Sequence, residues 1–130
     1  MPTALQNVLW IAAAGALGSV SRYGLTLLVQ RWAGTGFPWG TLAVNGLGCL
    51  LFGLIWHAAA ERMLLGSEAR LIVLVGFMGA FTTFSTFAFD TAELARQSHW
   101  WLAAANLLAQ NALGLAAVFV GAAIGKWIGP

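Results

Sequence analysis

Four stretches of nearly unbroken apolar character divide the chain, covering residues 8–29, 40–60, 71–94 and 101–124. A helix rises ~1.5 Å per residue and the hydrocarbon layer is about 30 Å thick, so roughly 20 apolar residues suffice for one crossing. Each stretch therefore predicts a membrane-spanning helix, joined by short polar loops at 31–38, 61–70 and 96–99. The third stretch is unlike the others. Its centre reads Gly79-Ala80-Phe81-Thr82-Thr83-Phe84-Ser85-Thr86-Phe87, with four hydroxyls and a glycine where a lipid-facing helix would carry aliphatic side chains. Backbone polar groups at membrane depth must be satisfied by protein or by a water-filled path. A break near 79–83 thus makes the third stretch the functional suspect, whether protein or a water-filled path surrounds it.

Composition agrees with this pattern. The 130 residues are 60% hydrophobic and 8% charged, with mean hydropathy +0.82, whereas soluble domains carry about 25% charge. The expected class is all-α and integral to the membrane, one transmembrane domain over residues 1–130. Trp10, Trp32, Trp39 and Trp56 flank the first two spans, as suits a ring that is apolar except at its N–H. The amino terminus lacks the basic stretch of a cleavable signal and reads as part of a retained first helix. The net charge of +2 is too small and too scattered to form a nucleic-acid surface. Cys49 is the sole cysteine and reads as a small buried hydrophobe.

With four crossings, Arg62, Arg70 and Lys126 would share one side, and Arg22, Arg31 and Arg96 the other. Lys/Arg bias sets orientation, so a balanced distribution is what insertion in both directions requires, and oppositely inserted copies could pair antiparallel. The charges leave a fixed orientation equally open.

Chemistry is expected to come from polar groups within the spans. Phe84 and Phe87 lie three apart, on one face of a helical turn, and the positive edge of an aromatic ring can solvate an anion weakly. Ser85 and Thr86 sit between them. Asn45, mid-span in the second helix, offers two amide donors with Thr41 one turn away; it serves equally as interhelical glue. Asn106 and Gln110 line one stripe of the fourth helix, either a pore wall or an interhelical network. Arg22 could draw anions into a vestibule or snorkel to the interface. Asp90 and Glu93 are expected near the aqueous end of the third span. His57 and His99 stand apart, and neither a nucleophile–base set nor metal-ligand spacing is present, so no enzyme is expected.

These residues resemble the Fluc fluoride channels, also called the CrcB family. The likeness covers the whole chain through Gly15-Ala16-Leu17-Gly18 with Ser21-Arg22-Tyr23, Gly40-Thr41 with Asn45 and Gly48, and above all Gly76 to Phe87. The resemblance implies an antiparallel, dual-topology homodimer of four-helix subunits in the cell (inner) membrane. That dimer would export fluoride down its electrochemical gradient and limit its toxicity. It further implies a structural sodium ion at the dimer centre, held by the backbone carbonyls of Gly79 and Thr82. The implied fluoride path passes Phe84 and Phe87, with Asn45 and Thr41 as donors and with Ser85, Thr86, Asn106 and Gln110 beside them. Four positions depart from the usual pattern: Ala80 replaces a glycine, Asn106 and Gln110 replace Tyr and Ser, and Asp90 stands where many members have Glu. A small dual-topology multidrug exporter is the rival reading, but it needs an intramembrane carboxylate, and no Asp or Glu precedes Glu61.

Overall fold

The computed structural model describes residues 3–61 and 64–128, and Arg62 lies outside them. Helix α1 spans Ala4–Ala33. Its amino end is closed reciprocally, with the Gln6 amide donating to Thr3 Oγ1 and the Thr3 amide to Gln6 Oε1. Helix α2 spans Trp39–Trp56 and widens into a π-helical stretch, His57–Glu61. The third span begins with α3, Ser67–Leu71, and widens similarly over Ile72–Met78. It then narrows to one turn, α4, Gly79–Phe81. Thr82 and Thr83 are both extended, and α5 follows over Phe84–Arg96. Helix α6, Trp100–Trp127, completes the chain.

Four helical segments are long and apolar enough to cross a membrane: Ala4–Ala33, Trp39–Ala59, Ser67–Arg96 and Trp100–Trp127. Alternating direction places Trp32, Trp39, Trp100 and Trp101 at one end and Trp10, Trp56 and Trp127 at the other. All seven rings are exposed, as interfacial belts require. The Arg70 guanidinium stacks over Trp56, 5.4 Å from the ring centroid, at the second of these ends.

The turn into α6 is tight. Ser98 adopts φ 63°, the Ser98 amide donates to the Ala95 carbonyl, and the His99 amide donates to the Leu94 carbonyl. This left-handed residue satisfies the last carbonyls of α5 and reverses the chain.

Few side chains are fully enclosed. Val44, Leu74, Met78 and Phe81 form the apolar centre, with Leu25, Leu51, Ile55 and Phe77 packed around it. Most large hydrophobic side chains point outward, which is favourable in acyl chains and costly in water. Because lipid offers no hydrophobic drive for helices to associate, close packing falls to small residues. A Cβ at Gly53 would strike the Val118 carbonyl, and one at Gly121 the Leu50 carbonyl, so α2 and α6 touch backbone to backbone. On the opposite flank, a Cβ at Gly18 would meet the Phe77 carbonyl, and one at Gly76 would stand 2.9 Å from Ala14 Cβ. The third span is thereby pressed between α1 and α2.

Candidate functional site

The two extended threonines are built into the structure by their own side chains and by Asn45. Thr82 keeps its helical amide bond to the Met78 carbonyl (3.1 Å), and its hydroxyl donates to the same oxygen at 3.0 Å. Its methyl group occupies the space that a side chain at Gly48 would fill. Thr83 caps α5: its Oγ1 accepts from the Thr86 amide (3.1 Å), donates to Thr86 Oγ1 (3.0 Å) and lies 3.2 Å from Ser85 Oγ.

Asn45 grips the peptide groups flanking Thr83. Its Oδ1 accepts from the Thr83 amide at 2.8 Å, and its Nδ2 donates to the Thr83 carbonyl at 3.0 Å. One side chain thus gives the Thr83 N–H the acceptor that a continuous helix would have supplied, and adds a second donor to the carbonyl, which as the N-cap of α5 already accepts the first bond of that helix. In such a helix the Thr83 N–H would have gone to the Gly79 carbonyl. Its diversion to Asn45 releases that oxygen from its usual donor.

The second Asn45 hydrogen goes to Gln110 Oε1 at 3.1 Å. Gln110 Nε2 faces Asn106 Oδ1 at 3.4 Å, Asn106 Nδ2 donates to Thr91 Oγ1 at 2.8 Å, and Thr91 donates to the Phe87 carbonyl at 2.8 Å. Asn106 is 0% exposed. The buried positions of α6, namely Ala103, Asn106, Gln110, Gly114, Gly121 and Gly125, form one stripe at spacings of three, four and seven residues. The polar stripe therefore faces protein rather than lipid. With both Asn45 hydrogens engaged, the observed geometry realises its interhelical role, and donation to an ion would require exchange with Gln110 or Thr83.

Of the side chains singled out in the sequence, seven gather at two neighbouring concavities, Asp90 and Glu93 line a third, and Ser85 and Asn106 line none of the three. Phe84, Phe87, Asn45 and Gln110 line a groove of about 300 Å³ together with Thr82, Thr83 and Asn111. That groove carries hydroxyls, amides and phenyl rings but no charged side chain. Phe84 is 77% exposed and Phe87 only 7%, and the two rings meet edge to face, with centroids 5.4 Å apart. Thr41 and Thr86 line the second concavity, about 260 Å³, with Ser19, Arg22 and Thr26 of α1. Thr83 borders both and separates them.

Thr41 donates to Asp90 Oδ2 at 2.7 Å, fixing a carboxylate in the third concavity, which Thr26, Thr41 and Thr86 also line. Glu93 is held farther along α5 by a bidentate pair with Arg96 at 2.9 and 3.0 Å and by Gln97 at 2.7 Å. Among the described residues, no three His, Cys, Asp or Glu side chains come together.

Sequence reasoning did not single out Thr83 as a clamp point or Thr91 at all. Both could have been found from one signal, the i, i+4, i+8 spacing of Thr83, Phe87 and Thr91, which puts two hydroxyls on the face that carries the buried ring.

The chain matches the family described as CrcB-like protein, Camphor Resistance (CrcB), over residues 9–122. It is 58% identical over 123 residues to the fluoride-specific ion channel FluC of Nitrosococcus oceani, covering 95% of this chain and 98% of that one. The FluC protein of Solidesulfovibrio magneticus is 53% identical over 124 residues, covering 95% and 99%, and that of Maridesulfovibrio salexigens 45% identical, covering 95% and 98%. These relatives are named as channels, not enzymes. With four membrane-length helices and a family match across nearly its whole length, the chain is a multi-pass membrane protein that belongs to the CrcB family.

Proposed function

We propose that this protein is a fluoride-selective channel that lets fluoride leave the cell down its electrochemical gradient and so limits cytoplasmic fluoride. The observation that carries the reading is the chemistry of the groove beside Thr82 and Thr83. Neutral donors and the rings of Phe52, Phe84 and Phe87, with no fixed charge, line a break in a membrane helix, in a chain 58% identical to a protein named a fluoride-specific ion channel. Fluoride is small and tightly hydrated, so a path must replace its water with closely spaced donors and ring edges. Conduction also requires those contacts to be weak enough to release it. Phe84 and Phe87 supply the edges. Thr82, Thr83, Ser85 and Thr86 supply hydroxyls, and Asn45 and Gln110 supply amide groups within reach of the same surface. Thr41, with Arg22 in the adjoining concavity, forms the approach, where the guanidinium raises the local anion concentration.

The functional unit is an antiparallel homodimer of oppositely inserted subunits in the cell (inner) membrane. The balanced Lys/Arg distribution and the exposure of Phe84 on an isolated subunit support this assembly. The Gly79 carbonyl, relieved of the Thr83 amide, and the Thr82 carbonyl, outside any helix, have the right chemistry for a hard cation. We assign them to a structural sodium ion shared between subunits, which would draw the two broken helices together.

Purified protein in liposomes is expected to dissipate a fluoride gradient at least about a hundredfold faster than a chloride gradient, a gap of about 2.7 kcal/mol in barrier height. Equal rates would refute selectivity.

A further inference from the structure

The hydrogen bonds that leave Asn45 form a chain whose direction is dictated at every link. The Thr83 backbone offers one donor and one acceptor to the Asn45 amide. A flipped Asn45 would oppose donor to donor, so its Nδ2 must face Gln110. Gln110 must answer with oxygen (3.1 Å), which turns its nitrogen toward Asn106 Oδ1 (3.4 Å). Asn106 must then give nitrogen to Thr91 Oγ1 (2.8 Å), and the remaining Thr91 hydrogen points back to the Phe87 carbonyl (2.8 Å). The chain leaves the third span at Thr83, crosses α2 and α6, and returns to the third span two helical turns later.

We propose that Thr91 and Asn106 are positioning residues for transport: they orient Gln110, and through it the Asn45 amide, so that the Thr82–Thr83 break and Phe87 keep a fixed mutual geometry. The inference rests on the fluoride-channel reading. It gives Asn106 a role other than that of a path-lining donor, since it is 0% exposed and its amide hydrogens lie among protein groups. Simple glue between α5 and α6 would need only the Asn106–Thr91 contact. A positioning chain makes the further demand that a change at Thr91 be felt at Thr83, eight residues and about 12 Å away along the helix.

The test uses the full chain. Thr91→Val keeps the shape of the side chain and removes the hydroxyl, whereas Thr91→Ser restores it. Two quantities are read: fluoride efflux from liposomes, and hydrogen exchange of the Thr83 amide by NMR in detergent micelles. Thr91→Val is expected to speed Thr83 exchange and to slow fluoride efflux, each by about tenfold. The Gly53 and Gly121 amides should exchange as in the wild type, and Thr91→Ser should recover both quantities. Asn106→Leu cuts the same chain one link on, so the Thr91→Val/Asn106→Leu double variant should conduct no more slowly than Asn106→Leu alone. Additive losses, an unaltered Thr83 exchange rate in Thr91→Val, or faster exchange with undiminished efflux would each overturn the proposal. If the wild type carried no fluoride, the channel reading would fall and the positioning role with it; coupled exchange would then survive only as a fact of structure.

Discussion

Helices α2 and α6 meet along two stretches built from opposite materials. At one end Gly53, Gly121 and Gly125 bring backbone against backbone, with Leu50, Leu54 and Val118 carbonyls where side chains would otherwise stand. Toward the other end Asn45 and Gln110 fill the gap with amides and reach the third span. The glycine stretch sets the distance between the helices by steric contact alone and specifies no partner. The amide stretch leaves room for two polar side chains, and a non-helical pair of threonines is stitched into that room. One helix pair thus serves as a rigid clasp at one end and as the support of an unwound segment at the other.

This contrast can be broken most severely on the glycine side. In Gly121→Val the new side chain would collide with the Leu50 backbone, which cannot swing away. A loss of about 3 kcal/mol or more is expected, seen as the disappearance of a monodisperse protein in gel filtration. On the amide side, Gln110→Leu removes one acceptor from Asn45 and one donor from Asn106. The cost should be about 1–3 kcal/mol in thermal unfolding, and fluoride efflux should fall several-fold with assembly intact. Phe84→Ile keeps an apolar side chain at a ring that is largely exposed on the single subunit, so assembly should persist while efflux slows; unchanged efflux would remove that ring from the path. The smallest effect is expected from Gly46→Ala, because nothing lies within 4 Å of a Cβ there. Its change of about 1 kcal/mol or less, set against a large loss for the same substitution at Gly48, whose Cβ would strike the Thr82 methyl, would show that close approach, not glycine content, holds α2 in place.

The spans were legible because hydropathy and tryptophan flanks report directly on the surrounding solvent. The polar centre of the third stretch was legible for a related reason: hydroxyls in an apolar run need partners. What the sequence left open was which partners. Asn45 carried two readings until the Thr83 peptide was seen to occupy its amide, and no local spacing links positions 38 residues apart. Residues expected along one path divide between the phenylalanine groove and the Arg22 concavity, with Thr83 at their border. Asn106 and Gln110 share a stripe, as their spacing implies, yet only Gln110 reaches the groove, because α6 turns Asn106 fully inward toward Thr91. The π-helical stretches at His57–Glu61 and Ile72–Met78 left no mark in the residue pattern.

The claim on which the account turns is that Asn45 supports the unwound threonines and that this support is needed for passage. Asn45→Ala leaves the Thr83 N–H without its acceptor and strips the Thr83 carbonyl of its second donor while the glycine clasp remains, so it should assemble as the wild type does. Fluoride efflux from liposomes containing this variant is predicted to fall by more than about tenfold, and efflux at the wild-type rate would contradict the account.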